Sequence, residues 1–145
     1  MIEKKASEIH DLGFNCAQSV LYALNDITGL DKETSLALTG GMGGGMRASE
    51  VCGAVSSAIL ALGMAFPFAD NTDEKAKDRI AAITREFHAR FKKECPSIIC
   101  RELLGYDMEV EKGKTHPEIN ERVCPAAIDG AVKIVRELVK EYKKP

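Results

Sequence analysis

Apolar residues recur at helical spacing along most of the chain, and the clearest stripe lies near its middle. Val51, Ala54, Val55, Ala58, Ile59 and Leu62 fall on one face of a helix. The other face (Gly53, Ser56, Ser57, Leu60, Ala61) is small or apolar too, and no charged residue lies between Glu50 and Asp70. A helix apolar on all sides is a buried one. The pattern therefore predicts a buried central helix over about residues 49–63, with Cys52 in its first turn.

The flanking segments predict the helices packed around it. Residues 2–12 form a first helix stopped by Gly13. Asn15 is a natural N-cap for a second, with Val20, Leu21, Leu24 and Ile27 on its apolar face and Gly29 at its end. Asp31 caps a short helix through Leu38. After Pro67 and a polar turn, a long helix over 73–93 carries Ala76, Ile80, Ile83, Phe87 and Phe91 on one face. Cys95-Pro96 breaks it, Ser97 caps a short helix over 98–104, and Gly105 closes that one. Residues 106–123 are polar and read as a loop with at most one helical turn. A final helix is expected to start at Cys124-Pro125, where proline suits the first position, with Ile128, Ala131, Val135 and Leu138 in its stripe. No segment alternates as a strand does. The expectation is an all-α, single-domain helical bundle over 1–145, with five or six helices around the central one.

Composition narrows the function classes. A net charge of -2 and the absence of Trp offer neither a basic face nor a stacking platform, so no nucleic-acid partner is expected. Residues 51–69 are long enough to span a bilayer but contain Gly53, Ser56, Ser57, Gly63 and Pro67 and lack an aromatic belt, so a membrane span is not expected. The first residues show no apolar signal region. Five cysteines, an odd number, without an export signal favour reduced, metal-bound or redox-active thiols over a disulfide framework. Cytoplasm is the expected compartment.

The cysteines are the candidate chemistry. Cys16, Cys52 and Cys124 all fall at predicted helix starts, where unpaired N–H groups favour thiolate. Cys100 lies within a short predicted helix beside Arg101. The plainer alternative is that cysteine is a small hydrophobe placed in a core. Cys52 carries the strongest expectation of acidity, from its helix start, the glycine-rich loop before it and Arg47. That loop has two readings. Gly43, Gly44, Gly45 and Arg47 could form an anion- or cofactor-binding concavity, or the glycines could mark a tight crossing of segments. The match of residues 43–48 to G-x-G-x-x-A lacks the preceding strand it needs, and Met46 stands where a P-loop requires lysine. His10, His88 and His116 are scattered and read as surface residues. With no C-x-x-C present, any metal site must be assembled from cysteines distant in sequence.

Phe14-Asn15-Cys16-Ala17-Gln18, the glycine loop leading to Cys52-Gly53-Ala54, Cys100-Arg101-Glu102-Leu103-Leu104-Gly105 and the late Cys124 together resemble the C_GCAxxG_C_C family of small proteins described as redox-active. The resemblance runs in order over nearly the whole chain. It implies that Cys16, Cys52, Cys100 and Cys124 are the family's four cysteines and that Cys95 is extra. One departure is Ser57, where the family's C-G-A-x-x-G ends in glycine. Proteins of this family are often encoded near transporters, and a similar cysteine-rich module occurs in split-Soret cytochromes beside an iron–sulfur cluster. Three readings follow for the four cysteines. They are ligands of an iron–sulfur cluster, or cofactor-free thiols of a thiol–disulfide oxidoreductase or redox sensor working with a redox partner, or the four-thiolate zinc site of a binding protein.

Overall fold

Local capping signals set most helix boundaries in the structure, a computed structural model that describes residues 5–110 and 116–143. Eight α-helices follow in order among these described residues: α1 (Ala6–Asp11), α2 (Cys16–Ala23), α3 (Asn25–Thr28), α4 (Lys32–Leu38), α5 (Gly53–Ala65), α6 (Glu74–Glu94), α7 (Cys100–Leu104) and α8 (Pro117–Tyr142). The architecture is all-α. Among the described residues there is no strand, and one isolated bridge joins Val51 to Ile99.

Asn15, Asp31, Asp73 and Gly105 act as the sequence predicts, whereas Ser97 accepts from the Ile99 N–H ahead of α7 and Ile99 is that helix's N-cap. Asn15 Oδ1 accepts from the Gln18 N–H at 2.8 Å while Gln18 Oε1 accepts from the Asn15 N–H at 2.9 Å, a reciprocal capping box that opens α2. Asp31 and Asp73 accept from Thr34 and Ala76 at 2.7 and 3.0 Å and open α4 and α6. Gly105 ends α7 in the left-handed conformation, at φ 80°.

Several boundaries differ from expectation: the second helix stops at Ala23, with a separate α3 before Gly29, and the short helix expected over 98–104 starts at Cys100. The last helix begins at Pro117 rather than at Cys124-Pro125, and it runs straight through Pro125. Pro117 supplies the N1 proline instead. Pro125 removes one internal hydrogen bond, which the rest of a long helix tolerates when one face is well buried. The residues between 111 and 115, part of the loop expected over 106–123, lie outside the described residues, as do residues 2–4 of the first helix.

The central helix also starts later than expected. Gly44, Gly45, Met46, Arg47 and Ser49 all have φ between 54° and 63°. A right-handed helix cannot include left-handed residues. Residues Gly45–Ser49 instead form a separate π-type turn, and α5 begins only at Gly53, with Cys52 as its N-cap residue. Its C-terminal half is not buried all round, since Leu60 and Met64 are 44% and 45% exposed.

The remainder of α5 lies in the core, against α2, α6 and α8. Leu62 and Phe66 share one apolar cluster with Leu21 of α2 and Leu24 just after it, Phe87 and Phe91 of α6, and Ile128, Ile134 and Leu138 of α8. The Phe87 and Phe91 rings stack with centroids 5.8 Å apart. Burying side chains of this size contributes about 1.5–3 kcal/mol each. Ser57, at the position where the resemblance expects glycine, is fully buried and donates its hydroxyl to Ala17 O at 2.7 Å, tying α5 to α2. Arg136 of α8 forks onto Asp26 at 2.8 and 3.1 Å and also reaches Ala23 O. No described helix is long and apolar enough to cross a membrane.

Candidate functional site

Four chain segments meet at the N-terminal end of α5. The Asn15 cap makes Cys16 the first residue of α2. An antiparallel clip then joins residues 50–52 to 98–100: the Cys52 N–H donates to Ile98 O at 2.7 Å, and the Cys100 N–H donates to Glu50 O at 2.6 Å. The clip sets Cys52, the N-cap of α5, beside Cys100, the first residue of α7. Cys124 arrives from the interior of α8.

Cys16, Cys52, Cys100 and Cys124 line a single cavity of about 40 Å³, whose other walls are mainly Leu103, Leu104, Met108, Val123 and Ala127. That volume holds a few small atoms at most. Cys52 and Cys100 are buried, whereas Cys16 and Cys124 are partly exposed. Cys95 ends α6 and takes no part in the cavity. Cys124 does not sit at a helix start, because α8 begins upstream of it, and Cys100 starts α7 rather than lying inside it.

The four thiols are not equivalent. Cys16 is lowered to about 6. The largest cause is the hydrogen bond from the Cys52 thiol, which outweighs burial, and the backbone N–H groups of Gly44, Gly53 and Ala17 add to it. Cys52 is pushed well above the ordinary thiol range by the same hydrogen bond, by burial and by the Cys16 charge, which the Ala54 and Val55 amides offset only in part. Burial and then the Cys16 charge raise Cys100 to about 11 and Cys124 to about 12. The expectation that Cys52 is the thiolate is thus reversed. Of two hydrogen-bonded sulfurs only one can hold the charge, and the amides of three separate segments converge on Cys16.

The glycine loop shapes this site by close approach. A Cβ on Gly53 would stand 2.5 Å from Cys16 Sγ, and one on Gly43 would stand 2.5 Å from the Asn15 Cβ. Gly45 has left-handed backbone, and a Cβ there would stand 2.5 Å from the Glu50 nitrogen and 2.9 Å from the Cys100 Cβ. The Gly44 amide, one of those expected to face an anion, is directed at Cys16. Arg47 does not join the cysteines. Its side chain is 67% exposed and lies 3.7 Å from Glu109.

Residues that sequence reasoning passed over hold the left-handed turn in place. Ser49 is fully buried and donates to Asp107 Oδ1 at 2.8 Å, and that carboxylate also accepts from the Glu109 and Val110 amides. Arg101 donates to Ser49 O at 3.1 Å and pairs with Glu50 at 2.7 Å. Ser49 and Asp107 are 58 positions apart, so no local pattern marks the pair. Three non-glycine residues in left-handed backbone cost about 1 kcal/mol or more each, and this bonding around Ser49 is what maintains them.

Among the described residues no three His, Cys, Asp or Glu side chains are placed to hold a metal ion, so a four-cysteine zinc centre is not preformed. Four thiols on one apolar cavity match the ligands of an iron–sulfur cluster in number and kind, but their placement is no more that of a cluster site than of a zinc site.

Neither the curated proteins nor the solved structures yield a match to this chain. The family model described as "Putative redox-active protein (C_GCAxxG_C_C)" matches residues 14–138, a span that contains every cysteine of the cavity. With the match covering most of its length, the chain belongs to the C_GCAxxG_C_C family.

Proposed function

We propose that Cys16 and Cys52 are the working dithiol of a thiol–disulfide oxidoreductase, cycling between a reduced pair and a disulfide. The observation that carries this reading is the placement of Cys16 Sγ hard against Gly53, the residue after Cys52, on a cavity that both cysteines line. The neighbouring Cys52 thiol and backbone amides hold the Cys16 pKa below the ordinary thiol range. A thiolate with a pKa near ambient pH is the effective nucleophile in disulfide exchange. Cys16 is also the less buried residue of the pair, which assigns it the first contact with a substrate. Its thiolate attacks one sulfur of the substrate disulfide, and the other sulfur leaves as a thiolate that takes a proton from solvent. Cys52 then attacks Cys16 Sγ, closing the Cys16–Cys52 disulfide. The substrate's second sulfur leaves with the proton that Cys52 gives up. The substrate gains two electrons and the pair loses two.

Equilibration of the protein in glutathione redox buffers, followed by alkylation and peptide mass spectrometry, tests this. The expected product is a crosslink joining Cys16 to Cys52. Its absence at every potential overturns the reading.

The four-thiol cavity favours one further reading, in which Cys16, Cys52, Cys100 and Cys124 hold an iron–sulfur cluster that supplies one-electron transfer. The Gly44 and Gly53 amides would then donate to a ligating sulfur and raise the potential. Anaerobic isolation with iron and sulfide counts separates the two, since the cluster reading requires both elements and the dithiol reading requires neither.

A further inference from the structure

A dithiol cycle uses two thiols, and the cavity holds four. Cys100 is built into the surroundings of the first pair on both sides. Its N–H is bonded to Glu50 in the clip that places Cys52. Its Cβ packs against Gly45, whose neighbour Gly44 directs an amide at Cys16. Cys124 closes the same cavity from α8 and is partly exposed. We infer that Cys100 and Cys124 form a second dithiol that takes the oxidation over from the Cys16–Cys52 disulfide, so that the cavity acts as an internal disulfide relay. The inference rests on the dithiol reading of Cys16 and Cys52.

The exchange balances within the chain. Cys100 attacks Cys16 Sγ, the Cys16–Cys52 bond breaks, and Cys52 leaves with the proton that Cys100 gives up. Cys124 attacks Cys100 Sγ, its proton passes to solvent, and Cys16 leaves as a thiolate. One disulfide is consumed and one is formed, with no electrons drawn from outside.

Two physical arguments give the relay its direction and its order. Reduced Cys16 is stabilised as a thiolate by the Cys52 thiol and three amides, whereas no such set of donors acts on Cys100 or Cys124. A disulfide whose reduced form is stabilised is the stronger oxidant, so oxidation passes from the first pair to the second. The charge on Cys16 also helps to hold both other thiols protonated. Forming the Cys16–Cys52 disulfide removes that charge, so Cys100 and Cys124 become easier to ionise only after the first pair is oxidised.

The test adds one equivalent of diamide, a two-electron thiol oxidant, to the fully reduced protein, then alkylates at short and long times and maps the crosslinks. Cys16–Cys52 is expected early, giving way to Cys100–Cys124 with Cys16 and Cys52 again open to alkylation. Cys100→Ser should stop at Cys16–Cys52. Cys124→Ser, at a partly exposed position, should hold the protein as Cys16–Cys52 in exchange with the Cys16–Cys100 intermediate and serves if the first variant fails to fold. In Cys16→Ser the Cys100–Cys124 crosslink should form at least tenfold more slowly. A Cys16–Cys52 disulfide that persists while Cys100 and Cys124 stay reduced overturns the relay and leaves the dithiol reading intact. So does a Cys100–Cys124 crosslink that forms equally fast in Cys16→Ser. Failure of Cys16–Cys52 to form even in Cys100→Ser overturns both.

Discussion

Cys52 and Cys95 are almost equally buried, at 7% and 8% exposure, and each sits at the end of a helix. Burial contributes to raising the pKa of both. Their surroundings differ in the sign of the helix end and in company. Cys52 is the N-cap of α5 and donates to Cys16, so its high pKa is half of a hydrogen-bonded pair whose other half is acidic. Cys95 ends α6, where the dipole opposes an anion, and its charged neighbour is Glu94, which raises it further. A buried thiol with a high pKa is therefore inert at one place and the resolving partner of a nucleophile at the other. What separates them is whether other sulfurs share the same cavity.

The largest effect that can break this comparison is on thiol reactivity. The protein should show one fast-alkylating thiol, Cys16, whose rate rises with pH about a midpoint near 6. Because the pKa is depressed, both the thiolate and its contribution to stability are present at high pH and are lost as pH falls through that midpoint. Cys16→Ser should remove the fast phase, slowing alkylation at pH 7 by about tenfold or more relative to the parent. Cys95→Ser should leave the fast phase unchanged. A fast phase that follows Cys95 would reverse the assignment.

Two glycines of α5 sharpen the contrast between the site and the rest of that helix. Gly53→Ala drives a methyl group against Cys16 Sγ, whereas an added Cβ at Gly63 meets nothing within 4 Å. Thermal and urea unfolding should show Gly53→Ala destabilised by about 1–3 kcal/mol, and the Cys16 alkylation midpoint should move up as its cradle opens. Gly63→Ala should stabilise by about 0.5–1 kcal/mol and leave that midpoint in place.

The caps of α2 and α6 make a finer comparison. Asn15→Ala and Asp73→Ala should each cost about 1 kcal/mol in denaturant melts. The Asn15 change should cost more, since its Nδ2 also donates to Thr39 and Gly40 carbonyls at 3.3 and 3.1 Å. Only that variant should alter Cys16 reactivity.

The smallest effect is expected at Arg47, exposed and only loosely paired with Glu109. Arg47→Ala should change stability by no more than about 0.5 kcal/mol. The alkylation midpoint should hold steady, and an upward shift of a full unit would restore the guanidinium to the site.

Much of the fold was legible because it rests on short-range chemistry. Asn15, Asp31 and Asp73 cap helices from their own side chains, and Gly29 and Gly105 end them by entering left-handed backbone at φ 72° and 80°. The start of α8 was misread because two prolines, Pro117 and Pro125, each suit a helix start, and only packing against α1, α2, α5 and α6 lets the helix continue through the second. The left-handed run before Ser49 was hidden for a similar reason. Methionine and arginine do not announce positive φ, and the groups that impose it, Asp107 and Arg101, come from far along the chain.

By itself the sequence determined the all-α class, most of the helix ends and, through its likeness to the family, which four of the five cysteines to group, the same four that line one cavity. These depend on contacts within a few residues or on residue identity alone. Tertiary structure decided which sulfur is acidic, which are held protonated, and which are reachable from outside. Those properties depend on the Gly44 amide and the Cys52–Gly53 start of α5 reaching Cys16 from elsewhere in the chain, beside the amide of its own neighbour Ala17. An interaction of that kind falls steeply with distance, so residue type and spacing along a chain cannot rank the sulfurs until the chain has folded.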